Sequence, residues 1–547
     1  LKKNADILIL SLILLLAFAS LYLYRSFDDN RLTSWRWVFE GVNVGRAYAA
    51  LVAGLGASYL ISRVYLPGPW ALFVLSYALS AAFWQEPEVI VDASRYFTQA
   101  KHLEVYGIGY FIRQWGGDIG AWTDLPLVPF IYGLIFKFIG EARIYVQLFN
   151  SAMFSLTVVL VSLLGRDLWG DRVGRSAGLL MLGMPYLFTQ APLMLVDVPS
   201  MFFLTLSVFT FNRAVARGGA LPIALASIAL VCAVFAKYSL WLMLSVLVVL
   251  LLVRLREAPG KVLRRGFLVF LISGAVSGAF ILYKYDMFSE QMRLLLSYQR
   301  PGLARWTESY ASTFLFQIHP FITAAALYSA YAAIRKRDLK YAIAAWLFIL
   351  MFVMEIKRIR YVLPMFPMLA LMAAYGMGEI KKEGVRRFVL SSVAVTSLLL
   401  AVFVYLPFLG SISLVNLRQA GIYLDSLDTD RVRVLTLPQG SAVNPAVTVP
   451  LLDLFTGKEI LYAQEGYPPV EGFEESPLRF TWQYKNPAYY KTPGRAPVVA
   501  VITGKTDEPL PARLEEEVRG YTETRLFDAS EKIFRFQTFV RLYQRAP

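Results

Sequence analysis

Residues 125–140 read LPLVPFIYGLIFKFIG, and the sidedness of the whole chain turns on whether they cross a membrane. The run is apolar enough to count. Pro126 and Pro129 break its start, however, and Lys137 interrupts its end. Around it, apolar runs near the ~20 residues a helical crossing needs recur at 6–24, 46–61, 69–84, 144–165, 174–190, 197–212, 221–236, 239–254, 266–283, 313–334, 341–354, 361–378 and 386–407. Short cytoplasmic loops collect Lys and Arg. With the N-terminus inside and 125–140 left out, Arg63, the Arg166–Arg175 group, Arg213 and Arg217, the Arg254–Arg265 group, Arg335–Lys340 and Lys381–Arg387 share one face. Counting 125–140 as a crossing splits them. The segment is therefore expected to lie at the outer interface as a helix. Asp92, Asp197, Lys237, the 284–312 loop and the basic cluster at Lys357 then face outward, as does the C-terminus.

The fold class expected is a mainly α polytopic membrane protein of about thirteen spans, followed by a soluble α/β domain. The chain has 547 residues, 57% of them hydrophobic, and a mean hydropathy of +0.51. A soluble protein of that length needs far more polar surface. The net charge of +15 does not point to nucleic acid, because most of it sits in the short loops between spans. The single cysteine, Cys232, permits no disulfide within the chain, and one thiol builds no metal site. His102 and His319 stand far apart in sequence. Either can supply at most one ligand beside carboxylates, so a divalent metal is left open and no other cofactor is implied. Lys2 and Lys3 precede an apolar stretch to Tyr24. Ala17-Phe18-Ala19 resembles a cleavage site, but the run is long enough to span and reads as a first anchor.

We place the membrane domain at 1–407, with an outer loop at 85–143, and an extracytoplasmic domain at 408–547. In the latter, Ile412–Leu427 and Pro511–Arg519 read as helices. Arg431–Leu437, Pro497–Ile502 and Ile533–Tyr543 read as strands. Gly466–Pro493, rich in proline and aromatics, reads as loop.

Asp92 opens the long outer loop, in Val91-Asp92-Ala93-Ser94-Arg95-Tyr96, and Asp197 lies in Leu195-Val196-Asp197-Val198-Pro199. An acid at the edge of a membrane span is costly and usually has a use. The plain alternative is that each caps a helix, Asp92 before Ala93–Leu103 and Asp197 before Val198. Lys237 interrupts an apolar run; it either snorkels at a hairpin turn or meets a phosphate. The cluster Glu355-Ile356-Lys357-Arg358-Ile359-Arg360-Tyr361 puts basic residues on the outer side, against the charge bias, where they bind lipid headgroups or a specific anion. Tyr96, His102 and Asp124 in the outer loop are candidate substrate contacts. Gly274 and Gly278 form a GxxxG expected to let helices pack closely. No P-loop, GxSxG or HExxH motif is present.

Taken in order, the edge Asp92, Leu125-Pro126-Leu127, Leu195–Pro199, Ala236-Lys237-Tyr238 and Lys357–Pro364 with Pro367 resemble the GT-C glycosyltransferases. The branch is that of the protein O-mannosyltransferases and the lipid A aminoarabinose transferase, over roughly residues 69–380. Ala93 stands where that family often has an acid, and Asp124 where it often has a base. The resemblance implies an enzyme that takes a sugar from a polyprenyl-phosphate carrier at the outer membrane face and inverts the anomeric carbon. It implies catalytic roles for Asp92 and Asp197. It implies that Lys237, Lys357, Arg358, Arg360 and Tyr361 hold the lipid phosphate. The acceptor is a protein, lipid or glycan, and the bilayer is the remaining partner. The competing reading is a polytopic transporter or lipid flippase, which also uses buried ionisable residues.

Overall fold

The computed structural model describes residues 5–64, 66–299, 308–439, 443–463, 481–482, 487–491, 494, 496–534 and 536–545. Helices dominate up to residue 409. Among the described residues, seven are long and apolar enough to cross a membrane: Ala5–Leu23, Val44–Ile61, Arg143–Trp169, Asp197–Arg217, Pro259–Tyr283, Ile359–Met377 and Glu383–Leu409. Shorter apolar helices fill other expected spans, at Pro69–Ala81, Ala220–Ala236, Ser239–Leu255 and Tyr341–Val353. Several expected spans are interrupted, and two of them break at a proline. The 174–190 run is two helices, Asp171–Met181 and Pro185–Gln190, and the 313–334 run is a wide turn at Ser312–Gln317 followed by Pro320–Lys336. In both, proline opens the second helix, where its missing N–H costs least. A count of thirteen crossings is therefore not established by helix length and composition.

Segment 125–140 forms the helix Leu127–Phe138, packed against Ile90–Tyr106. The buried Tyr132 hydroxyl donates to Leu195 O at 2.7 Å and lies 3.0 Å from Asn150 Oδ1. The Leu195 bond ties this helix to the segment that carries Asp197.

Close backbone approach occurs where a glycine permits it. A Cβ on Gly376 would sit 2.3 Å from Ala325 O, at the crossing of Phe366–Met377 with Pro320–Lys336. The expected GxxxG contact is not made: a Cβ on Gly274 or Gly278 would meet nothing within 4 Å. The helix that carries them, Pro259–Tyr283, has most of its surface outward, so these glycines lie on an open face.

The loop between the first two long helices is held by Asp28. Its carboxylate accepts from Trp35 N at 2.7 Å, Gln317 Nε2 at 3.0 Å and Ser312 Oγ at 2.5 Å. Burial pushes this carboxyl up to about 6.

Among the described residues the C-terminal part holds a five-stranded mixed sheet. Its strands are β1 (Arg431–Thr436), β2 (Glu459–Leu461), β3 (Val498–Thr503), β4 (Tyr521–Phe527) and β5 (Phe539–Arg545), in the order β2-β1-β3-β5-β4. The β2–β1 and β1–β3 pairs are parallel, and the β3–β5 and β5–β4 pairs are antiparallel, so β5 alone of the five runs opposite to the rest. Central β3, VVAVIT, is buried throughout, as an unbroken apolar run should be. The helices Val415–Asp425 and Ala512–Glu517 fall within the two expected ones. Strands β2 and β4 are additions, and β5 starts later than expected. Most of Gly466–Pro493 lies outside the described residues.

This part rests on the helix Ile90–Tyr106. The helix Val449–Leu454 and the turn Pro445–Thr448 pack against Ile90–Tyr106. Lys101 Nζ reaches Asp453 Oδ2 at 2.6 Å and Glu141 Oε1 at 2.8 Å, and Tyr490 Oη donates to the same Asp453 oxygen at 2.9 Å.

Candidate active site

Ile90–Tyr106 carries four polar residues at helical spacing. Asp92, Arg95, Tyr96 and Gln99 are three, four and seven positions apart, which puts them on one face. The cap position is Val89, and Asp92 lies inside the first turn. It therefore does not cap this helix. Asp197 is itself the first residue of Asp197–Arg217, with Val196 in the cap position and no side-chain cap bond. Neither aspartate does the capping job that the sequence left open. Both sit at the positive end of a helix dipole, where a negative charge is favoured.

The side chains turn instead toward Arg360. Its Nη1 donates to Asp92 Oδ2 at 2.5 Å and its Nη2 to Asp197 Oδ2 at 2.8 Å. Lys237 Nζ donates to the other Asp197 oxygen at 2.6 Å. Lys237 occupies an extended break after Ala220–Ala236, so its side chain is free to leave the helix surface. Arg360 is held in the short helix Ile359–Val362, which Pro364 and Pro367 separate from a regular continuation. Glu308 anchors that turn by accepting from Ile359 N at 3.0 Å. The result is a chain of alternating charge, Asp92–Arg360–Asp197–Lys237, drawn from four distant parts of the sequence. Asp197 is fully buried. Burial raises the Asp92 carboxyl, and the guanidiniums of Arg360, Arg95 and Arg358 outweigh it, so Asp92 lies below its ordinary value and is ionised at neutral pH.

Tyr361 lies beside this chain. Its ring is 5.2 Å from Lys237 Nζ and 5.8 Å from the Arg358 guanidinium carbon. Asp124 is paired with Arg95 and accepts from Gln99 Nε2 at 3.2 Å. Burial there outweighs Arg95 and leaves the Asp124 carboxyl above its ordinary value. Trp122, in the same turn, holds φ at +45°, an uncommon state for a bulky residue.

A cavity of about 740 Å³ opens over these groups. Asp92, Tyr96, Asp124, Lys237, Arg358, Arg360 and Tyr361 all line it. Asp197, His102 and Lys357 are not among its lining residues; Asp197 lies buried behind Arg360 and Lys237. His102 lies ten residues, about 15 Å, along the helix from Asp92, among Tyr106, Tyr110 and Tyr489. Its ring contacts Thr98 O, and burial lowers its pKa. The sequence reading did not single out Arg31, Arg95, Glu86, Glu88 or Gln190, all of which line the cavity. Arg95 was within reach, being one turn on from Asp92. Leu414, Val443 and Phe536 from the C-terminal part complete one wall. Among the described residues no three His, Cys, Asp or Glu side chains group as a metal site.

Two solved structures of ArnT from Cupriavidus metallidurans superpose on most of the chain. The one bound to undecaprenyl phosphate has a TM-score of 0.56 at 13% identity, covering 86% of this chain and 97% of that one. The apo form gives 0.54 at 14% identity, with the same coverage. The chain has the fold of the GT-C glycosyltransferases. The dolichyl-phosphate-mannose-protein mannosyltransferase family model matches residues 93–281 of this chain. That match begins one residue after Asp92 and includes Asp197 and Lys237. The archaeal oligosaccharyltransferase AglB from Archaeoglobus fulgidus aligns at a TM-score of 0.48 and 12% identity, over 79% of this chain and 69% of its own. No curated protein sequence matches significantly.

Proposed function

We propose that the protein transfers a sugar from a polyprenyl-phosphate carrier to an acceptor hydroxyl at the extracytoplasmic face, with inversion at the anomeric carbon. The single observation carrying this reading is Arg360, clamped between Asp92 and Asp197 in a cavity that Lys237, Arg358 and Tyr361 also line. Arg360 and Lys237 balance the two aspartates, so the site is close to neutral before substrate arrives. A lipid phosphate competes with the carboxylates for Arg360 and Lys237, and the planar guanidinium suits phosphate oxygens. As Arg360 turns to the phosphate, Asp92 loses its strongest counter-ion and becomes a better base.

In the reaction, the acceptor oxygen bonds to the anomeric carbon from the face away from the phosphate. The carbon–oxygen bond to phosphate breaks, and its electron pair leaves with the polyprenyl phosphate. Asp92 takes the acceptor proton. Lys237, Arg358 and Arg360 stabilise the charge growing on the leaving phosphate. Asp197 has both oxygens bonded, one to each cation, and so orients them. We assign residues 1–407 to the catalytic membrane domain and 408–547 to an extracytoplasmic domain, with the N-terminus cytoplasmic. The test is sugar transfer from radiolabelled polyprenyl-phosphate sugars by the purified protein. Absence of transfer from every carrier-linked sugar, with protein, lipid and glycan acceptors supplied, removes the proposal.

A further inference from the structure

We propose that Glu86 and Gln190 form the glycosyl-binding part of this cavity and take hydroxyl groups of the donor's sugar. The inference rests on the lipid-linked-sugar reading above and assigns residues that no part of that mechanism uses.

Both side chains line the cavity and both are almost fully buried, Glu86 at 2% and Gln190 at 4% exposure. In each, the Oε1 atom is buried with no hydrogen-bond partner. Buried polar atoms left in this state are uncommon and call for an explanation.

The neighbouring donors are committed elsewhere. Arg143 gives Nε to Glu88 Oε1 at 2.7 Å, Nη1 to Trp84 O at 3.0 Å and Nη2 to the backbone oxygen of Glu86 at 2.6 Å. Gln190 Nε2 faces Thr189, 3.3 Å from its carbonyl oxygen and 3.4 Å from its hydroxyl. The two residues belong to one region of wall. Glu88 Oε2 accepts from Met194 N at 2.8 Å, which pins the 86–88 loop to the turn that follows Gln190.

The chemistry of the missing partner follows from the atoms left over. Two oxygens with open lone pairs need a ligand that donates hydrogen bonds. An anion is disfavoured, because Glu88 adds a carboxylate to the same stretch and Arg143 is already spent on it. Burial pushes the Glu86 carboxyl well up, with Glu88 adding to the effect and Arg143 opposing it. A protonated Glu86 donates one bond and accepts others, which matches a hydroxyl that does both. A pyranose presents several such hydroxyls. The cations that suit a phosphate come from other segments, at Lys237, Arg358 and Arg360. One cavity thus provides a cationic wall for the carrier phosphate and a hydrogen-bonding wall for the sugar.

The test compares ligands with and without the sugar. Purified full-length protein in nanodiscs is titrated with bare decaprenyl phosphate and with decaprenyl phosphate carrying mannose, glucose or galactose. Wild type should bind at least one glycosylated form more tightly than the bare carrier. Glu86→Ala and Gln190→Ala should each reduce that ratio by roughly three- to tenfold, the usual worth of one hydrogen bond, with affinity for the bare carrier unchanged. Glu86→Gln, which retains hydrogen bonding, should recover part of the loss. An unchanged ratio in both alanine variants overturns the inference. So does equal weakening of bare and glycosylated ligands, which marks a structural role, and so does a wild type that gains nothing from any of the three sugars. A wild type that does not bind bare decaprenyl phosphate at all fails earlier, at the lipid-donor reading itself.

Discussion

Lys101→Met should loosen the C-terminal part from the helix Ile90–Tyr106 in a pH-dependent way. Lys101 is the counter-ion of Asp453, which is 3% exposed, and it also serves Glu141. Burial raises Asp453 to about 6, with Lys101 and Tyr490 opposing it, and burial raises Glu141 to about 7. A carboxyl whose folded pKa is raised binds its proton more tightly when folded, so its contribution falls as pH rises from near 4 through about 6. At pH 7.5 the ionised, Lys101-paired form of Asp453 lies one and a half pH units past its midpoint. At about 1.4 kcal/mol per unit, it is favoured over the protonated form by about 2 kcal/mol. Without Lys101, Asp453 retreats to the protonated form, and the loss is capped near that figure, with Glu141 adding less than about 1 kcal/mol. At pH 6 the two forms of Asp453 are equal and the ionic loss nearly disappears. What remains there is the lost contact of the lysine with the rings of Phe97, Tyr489 and Tyr490. Thermal unfolding of the purified protein in detergent, followed by near-ultraviolet circular dichroism, should show the variant melting roughly 4–8 °C below wild type at pH 7.5. The gap should be much smaller at pH 6. An equal gap at both pH values, or none at pH 7.5, refutes the ionic account of the docking.

Arg360→Ala should strip donor use, and Arg360→Lys should restore little, because a single ammonium cannot span Asp92 and Asp197 as the guanidinium does; full steady-state activity in Arg360→Ala would reduce the cluster to a headgroup contact. For sidedness, Cys232 is first replaced by alanine. A cysteine at the exposed Asp430 should then react with an impermeant maleimide on intact cells, and one at the exposed Arg335 should react only after lysis. The reverse pattern would move Asp92 and Asp197 to the cytoplasm and end the proposed chemistry.

The helical fold was largely legible in the sequence, because apolar run length acts locally. Helical structure appears at each expected span, and at two of the breaks a proline opens the next helix. Pro185 and Pro320 each start a new helix where the composition alone reads one continuous run. In the sheet, three-residue β2 is too short to show alternation, and the edge strand YTETRLF has an exposed face with little apolar signal. The candidate residues were legible singly, as charges in apolar surroundings. Their pairing was not: Arg360 meets Asp92 across 268 positions and Asp197 across 163, which no local pattern encodes. The capping roles offered for Asp92 and Asp197 failed because each helix starts earlier than its aspartate was expected to allow. His102 shares the helix of Asp92 but stands too far along it to reach the cavity. Glu86 and Gln190 carry no motif at all; only burial without a partner marks them.

The central claim is that Asp92 takes the acceptor proton, and Asp92→Asn addresses it most directly. Asparagine keeps the shape, still accepts a bond from Arg360, and removes no helix cap, so folding and donor binding should persist. It cannot take a proton at neutral pH. Base catalysis is worth about 10²–10⁴-fold in rate. Single-turnover sugar transfer by purified Asp92→Asn, with the lipid donor bound at saturation, should therefore be slower than wild type by about that factor. Equal single-turnover rates, with the chemical step limiting in both proteins, would contradict the account and leave Asp92 as no more than a counter-ion for Arg360.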